Sequence, residues 1–266
     1  MKLYVESVGL LAPGLAGWQE AQAVLRCEAQ HVPDALPRAA LPFIPANERR
    51  RLTSHIRLAL ATAADTVSDH PPMPSVFVSM EGDLGIVDHI CQALTQPGKP
   101  VSPTHFHNSV HNTPAAYWHQ AMGWHTPSTS LSSGEASFAA GLMEAATQSI
   151  EAAADETAGK VLLICSDDAT PERLSRLSPC PQPFGCGLIL NAQPGRSSRW
   201  ELNIELQRDT QSAANGLHSP SLEQLRQGNA AAAALPLLAR LASGESGTTR
   251  LPAWEGSVLH ITVQPR

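Results

Sequence analysis

One stretch limits what this chain can fold into more than any other: residues 127–144, PSTSLSSGEASFAAGLME. From Ser128 to Ser133 small polar residues alternate with Thr129 and Leu131, as in a short strand. From Glu135 the pattern changes to Ala136, Ala139, Ala140, Gly141, Leu142 and Ala145, which predicts a helix running to about Ala154. Its small side chains suit close packing against neighbours. Strand, Ser-Ser-Gly turn and helix together put position 135 on a sharp elbow. Acyl-transfer enzymes often mount a nucleophile at such a place, because the amides opening a helix favour negative charge there. The occupant here is a carboxylate, Glu135.

The flanking segments supply layers for this elbow to sit between. Leu3–Leu10 reads as a strand ending at the turn Ala12-Pro13-Gly14, and residues 18–25 read as a helix with Trp18, Ala21, Val24 and Leu25 on one side. Four prolines make residues 31–45 an irregular surface excursion. After Pro45 a long helix carries Ile56, Leu60, Ala63, Ala64 and Val67 at helical spacing, and His70-Pro71-Pro72 stops it. Ser75–Ser79 predicts a buried strand, and Asp83 caps a helix with Ile86, Ile90 and Leu94 in line. Strands follow at Lys160–Cys165, Gly185–Leu190 and Trp200–Leu206, so the fold class is an α/β layered domain in which the helix from Glu135 serves as a crossover. Beyond it, Asp209–Ser221 is expected as a polar loop, Leu222–Leu241 as one alanine-rich helix and Val258–Val263 as a last strand.

Composition narrows the function. Of 266 residues 42% are hydrophobic and only 16% charged, against a usual ~25%, so the chain should hide much surface in a core or against a partner. With a net charge of −6 and one basic run, Arg49–Arg51, it lacks the stripe that neutralises nucleic-acid phosphates. Glu6 interrupts the first apolar stretch, which argues against a signal peptide, and no run approaches the ~20 apolar residues of a membrane span. The cysteines Cys27, Cys91, Cys165, Cys180 and Cys186 are odd in number, scattered and without metal-ligand spacing. Reduced thiols and a cytoplasmic location are the expectation.

A second unusual stretch is Val101–Trp124, VSPTHFHNSVHNTPAAYWHQAMGW. In extended chain the rings of His105 and His107 would point one way, and with His111 they make a metal site conceivable. No His-Glu-x-x-His helix and no completing carboxylate or cysteine accompanies them. The alternative is a crowded loop in which the histidines, Asn108 and Asn112 hydrogen-bond backbone. For Phe106, Tyr117, Trp118 and Trp124 the alternative is simple packing.

With both stretches in view, the chain resembles the N-terminal half of a β-ketoacyl synthase of the thiolase-like superfamily. Ser102-Pro103, Asn112-Thr113-Pro114-Ala115 and Pro127–Leu131 fall in that family's order with similar separations. The turn at Pro13-Gly14, the loop Ser79–Asp83, Ser166 and Phe184-Gly185-Cys186-Gly187 also have counterparts. The likeness covers about residues 1–206, with residues 207–266 as a short helix-strand tail completing or flanking the same domain. It is similar in particular to the truncated ketosynthase-like proteins of bacterial aryl polyene pathways, which act as chain-length-factor partners.

The departures matter more than the matches. The family's catalytic cysteine position falls on Glu135, and the Ala-His-Gly-Thr and Gly-His elements that carry its histidines do not occur. Decarboxylative condensation needs a nucleophile to hold the acyl group and donors to stabilise the enolate. The resemblance therefore implies a non-catalytic subunit, without cofactor or metal, that pairs with an active ketosynthase and meets acyl carrier protein through the complex. It places the dimer axis near Pro127–Ser132 and makes Ser128, Ser130, Ser132, Glu135 and Phe138, with His105, Phe106, Tyr117 and Trp118, the tunnel or interface candidates. Glu135 is then structural, a buried carboxylate holding a strand end or a partner's amides. Two rivals stand beside this reading: an independent acyl-thioester hydrolase or decarboxylase using Glu135 or a metal on His105, His107 and His111, and a stand-alone carrier-binding module.

Overall fold

The apolar β-branched runs are buried along almost their whole length, because alternate side chains go to opposite faces of a single sheet that is covered on both sides. The computed structural model describes residues 1–36, 38–68, 70–154, 159–208, 215–254 and 256–266. In chain order the elements are β1 (Lys2–Ala12), β2 (Leu15–Ala16), α1 (Trp18–Leu25), α2 (Ala46–Arg49), α3 (Ser54–Val67), β3 (Ser75–Val78), α4 (Leu84–Thr95), α5 (Pro103–Asn108), α6 (Thr113–Met122) and β4 (Ser128–Leu131). After these come α7 (Ser137–Ala154), β5 (Lys160–Asp167), β6 (Phe184–Asn191), β7 (Trp200–Arg208), α8 (Pro220–Gly228), α9 (Leu235–Ser243), β8 (Gly247–Pro252) and β9 (Ser257–Pro265). The described strands form a nine-stranded sheet in the order β4-β3-β5-β6-β1-β7-β9-β8, with β2 folded back on β1.

The three strands β4, β3 and β5 are parallel, and the rest of the sheet is antiparallel. Passing from β4 to β5 skips over β3, so α7 is the crossover that the small-residue pattern called for. Val161, Leu163 and Cys165 face α7 and the C-terminal helices, whereas Leu162 and Ile164 face α3 and α6. Two apolar cores, one per face, result. Both sit on backbone brought close: a Cβ at Gly141 of α7 would lie 2.5 Å from Val78 Cγ2 on β3, and one at Gly187 would overlap Thr66 Oγ1 on α3. The tail is built into the same sheet, because β7 pairs with β9 from Trp200↔Pro265 to Arg208↔Ser257.

Five expectations need correction. The helix expected to run on from Pro45 is split into α2 and α3, and Thr53 Oγ1 accepts from Ile56 N to start the second. Residues 101–124 are two helices and not a loop. Ser102 Oγ caps α5 and Pro103 opens it; Pro114 sits at the start of α6, and Gly123, at φ 64°, ends it. The run Leu222–Leu241 is broken: Asn229 is extended, and its Oδ1 accepts from Ala231 N at 2.9 Å and Ala232 N at 3.2 Å, starting a 3₁₀ turn at Ala231–Ala234 before α9. Gly247–Pro252 is a strand, which the sequence pattern did not mark. Glu135 lies in a 3₁₀ turn, Gly134–Ala136, ahead of α7. Of the loop expected at Asp209–Ser221, residues 209–214 lie outside the described residues.

Candidate functional site

Parallel strands deliver their C-terminal ends to one place, and loops leaving those ends are where α/β folds build sites. Here β3 leads into Ser79-Met80, β4 leads into the elbow at Ser132–Glu135, and β5 ends at Asp167. A cavity of about 440 Å³ opens there, with Met80, Asp83, Glu135, Asp167, Cys180 and Asn229 among its walls.

The elbow holds its shape through serines. Ser137 Oγ accepts from Ser133 N at 3.0 Å and donates to Gly134 O at 2.6 Å, while Gly134 takes φ 57°. Ser132 Oγ donates to Met80 O across the strand ends. Glu135 itself is exposed, with no described residue hydrogen-bonded to its carboxylate, so it is not the buried strand-holder expected. That task belongs to Asp167, which is 6% exposed. Its carboxylate accepts from Ser79 Oγ at 3.0 Å, Met80 N at 2.7 Å and Ala231 N at 3.2 Å. Asn229 completes the arrangement, its Nδ2 donating to Gln182 O at 2.9 Å and to Asp167 O at 3.2 Å. Burial raises Asp167 above the ordinary carboxylate value, against the lowering effect of these donors and of His55.

The one thiol on this cavity wall among the described residues is Cys180. Burial, then the charges of Asp167 and Asp168, push it up to about 12, so at neutral pH it is protonated and a poor nucleophile. Burial raises Cys165 and Cys186 as well. No histidine lies among the described residues that line this cavity.

The remaining candidates divide between surface and core. Ser128 and Ser132 are exposed, Phe106 is 70% exposed, and His105, half-buried, stands 4.8 Å from the His89 ring. Ser130 Oγ is buried without a hydrogen-bond partner. Phe138 and Trp118 are each 1% exposed; Trp118 packs edge-on to Phe43 and Trp124, and Tyr117 Oη bonds Asn108 Oδ1 at 3.4 Å. These three aromatic side chains are intrachain core. His105 and His107 lie on the helix α5, two residues apart and so pointed in different directions, which removes the extended geometry behind the metal reading. Among the described residues no three His, Cys, Asp or Glu side chains converge to hold a metal. Sequence reading missed Asp167, Cys180 and Asn229. The acidic pair following the apolar run of β5 was the signal for the first; nothing local marked the others.

The model of the family described as β-ketoacyl synthase, N-terminal domain, matches residues 18–250. The chain belongs to that family. Its fold is the thiolase-like one of ketosynthases. The complex of the ketosynthase ApeO with its chain length factor ApeC from Xenorhabdus doucetiae contains a chain that aligns at TM-score 0.74 and 23% identity, over 98% of this chain and 99% of that one. The ishigamide ketosynthase/chain length factor aligns at TM-score 0.73 and 12% identity over 100% and 99%. A β-ketoacyl synthase from Burkholderia phymatum aligns at 0.68 and 10% identity, over 100% and 99%. No curated protein matches in sequence. No described helix is long and apolar enough to cross a membrane.

Proposed function

We propose that this protein is a non-catalytic, chain-length-factor type of ketosynthase subunit that pairs with an active β-ketoacyl synthase during aryl polyene or related polyketide elongation in the cytoplasm. The observation that carries the reading is the elbow of a family member holding Glu135 in place of an acyl-accepting sulfur, above a cavity whose thiol is protonated. Similarity in fold to chains from ketosynthase/chain length factor complexes supports it.

The surface supports pairing as well. Helix α4 is apolar in composition, yet only Ile86 of it is buried. Val87 (43%) and Leu94 (49%) on α4, with Phe106 (70%) on the neighbouring α5 and Val110 (56%) just after it, are exposed, the kind of apolar surface that marks an interaction site. β4 ends the sheet, so one side of its backbone is left to pair with another chain. Ser128, Ser130 and Ser132 belong to that edge, and His105 and Phe106 to the patch.

Coexpression with candidate ketosynthases tests the reading. A stable complex whose product length changes when this subunit is varied is expected. Failure to associate with any ketosynthase, or a covalent acyl adduct and condensed product from the isolated chain, would overturn it.

A further inference from the structure

A second cavity, of about 610 Å³, lies between α3 on one side and Leu36 with residues 38–43 on the other. It shares only Ser54 and Asp168 with the elbow cavity, and its volume is in the range of small-molecule sites. The walls are largely apolar, with Leu36, Leu41, Phe43 and Leu58 among them. Leu41 is held at φ 47°, a conformation that bulky side chains rarely take.

Into this apolar space α3 sends Arg57, which is only 8% exposed. Its Nε is buried without a hydrogen-bond partner, and one terminal nitrogen donates to Arg49 O. Arg38 lines the same cavity from the other side. Among the described residues neither Arg38 nor Arg57 is in an ion pair. The one acid on the wall, Asp168, accepts instead from Ala169 N at 2.8 Å in its own loop. Burial, with the like charges of Arg38 and Arg49, lowers Arg57 from the ordinary guanidinium value. A buried cation with an unmet donor is unfavourable by itself. A planar anionic head supplies the missing acceptors and matches a guanidinium fork.

We propose that this cavity binds an amphiphilic carboxylate, its chain along Leu36, Phe43 and Leu58 and its head on Arg57 and Arg38. The proposal concerns the lone chain and does not depend on the pairing role.

Calorimetric titration of the full chain with decanoate, decanol and acetate tests it, decanoate being kept below its micellar concentration. Decanoate is expected to bind one to one, about tenfold or more tighter than decanol, with acetate not binding. Arg57→Met and Arg38→Ala should each weaken decanoate about tenfold and leave decanol unchanged; Arg38 is exposed, so its variant keeps the test alive if Arg57→Met does not fold. Ala61→Phe, which fills the cavity from α3, should abolish binding of both chains. Equal affinity for decanoate and decanol, decanoate binding that survives Ala61→Phe, decanoate affinity undiminished by Arg38→Ala, or no decanoate binding would each overturn the proposal.

Discussion

At the residue scale, Glu135 and Asp167 border the same cavity under different constraints. Asp167 is buried and satisfies the Ser79 hydroxyl and the Met80 amide, which would otherwise be stranded, and shares the Ala231 amide with Asn229. Leaving buried donors unpaired costs about 1–3 kcal/mol each at most, so Asp167→Ala is expected to lose about 2–4 kcal/mol in urea unfolding. Glu135 is exposed and bonds nothing described, so Glu135→Gln should stay within about 0.5 kcal/mol of the parent in the same measurement. In the coexpressed complex that quiet substitution is expected to alter assembly or product length. Identical complexes and products from parent and variant would remove Glu135 from the function.

At the scale of elements, α8 is pinned by an acid–base pair of its own. Glu223 accepts from Arg226 Nε at 2.8 Å and Nη2 at 2.5 Å, and from Leu217 N at 3.1 Å. The Arg226 guanidinium holds this carboxyl down at about 2, below the ordinary 4.5. A carboxyl depressed in the folded state stabilises above its unfolded value and loses that stabilisation as pH falls through the folded one. Unfolding free energy should therefore drop between about pH 5 and pH 2, by about 1–2 kcal/mol for this group after solvent screening. Glu223→Gln should flatten that part of the pH profile; a profile as steep as the parent's would show that the pair does not hold α8. Helix α7 is fixed differently, by small residues lying on β3 with no charge involved.

At the scale of the molecule, a low charged fraction has two outlets. Part of the apolar content fills the two cores on either face of the sheet. Part stays outside on α4, α5 and their flanks, where Val87 and Phe106 are open to solvent. Val87→Asp with Phe106→Asp should leave the thermal midpoint of the isolated chain within a few degrees. Recovery of the ketosynthase complex should fall by about tenfold or more. Undiminished recovery would move the interface elsewhere.

Periodicity in the sequence was enough to determine the strand–elbow–helix at 127–154, the strands around it and the crossover role of α7, because strands and helices declare themselves through spacings of two to four residues. Separately, an order of short motifs in the sequence carried the family likeness, and the likeness implied that Glu135 stands where a cysteine would. What neither carried was everything set by distant partners. Asn229 breaks an alanine-rich run that has every local reason to continue, because its side chain is drawn to Gln182 and Asp167. Asp167 becomes the hub of the site only when Ala231, 64 residues away, is folded against it. The aromatic residues of α6 read as tunnel or, preferably, as packing, and it is α3 with Leu41, Phe43 and Ile44 closing over them that makes them core. Helix and strand are short-range consequences of sterics and hydrogen bonding; which helix must break, which acid is buried and which cysteine loses its reactivity depend on the dielectric and the donors that tertiary packing brings.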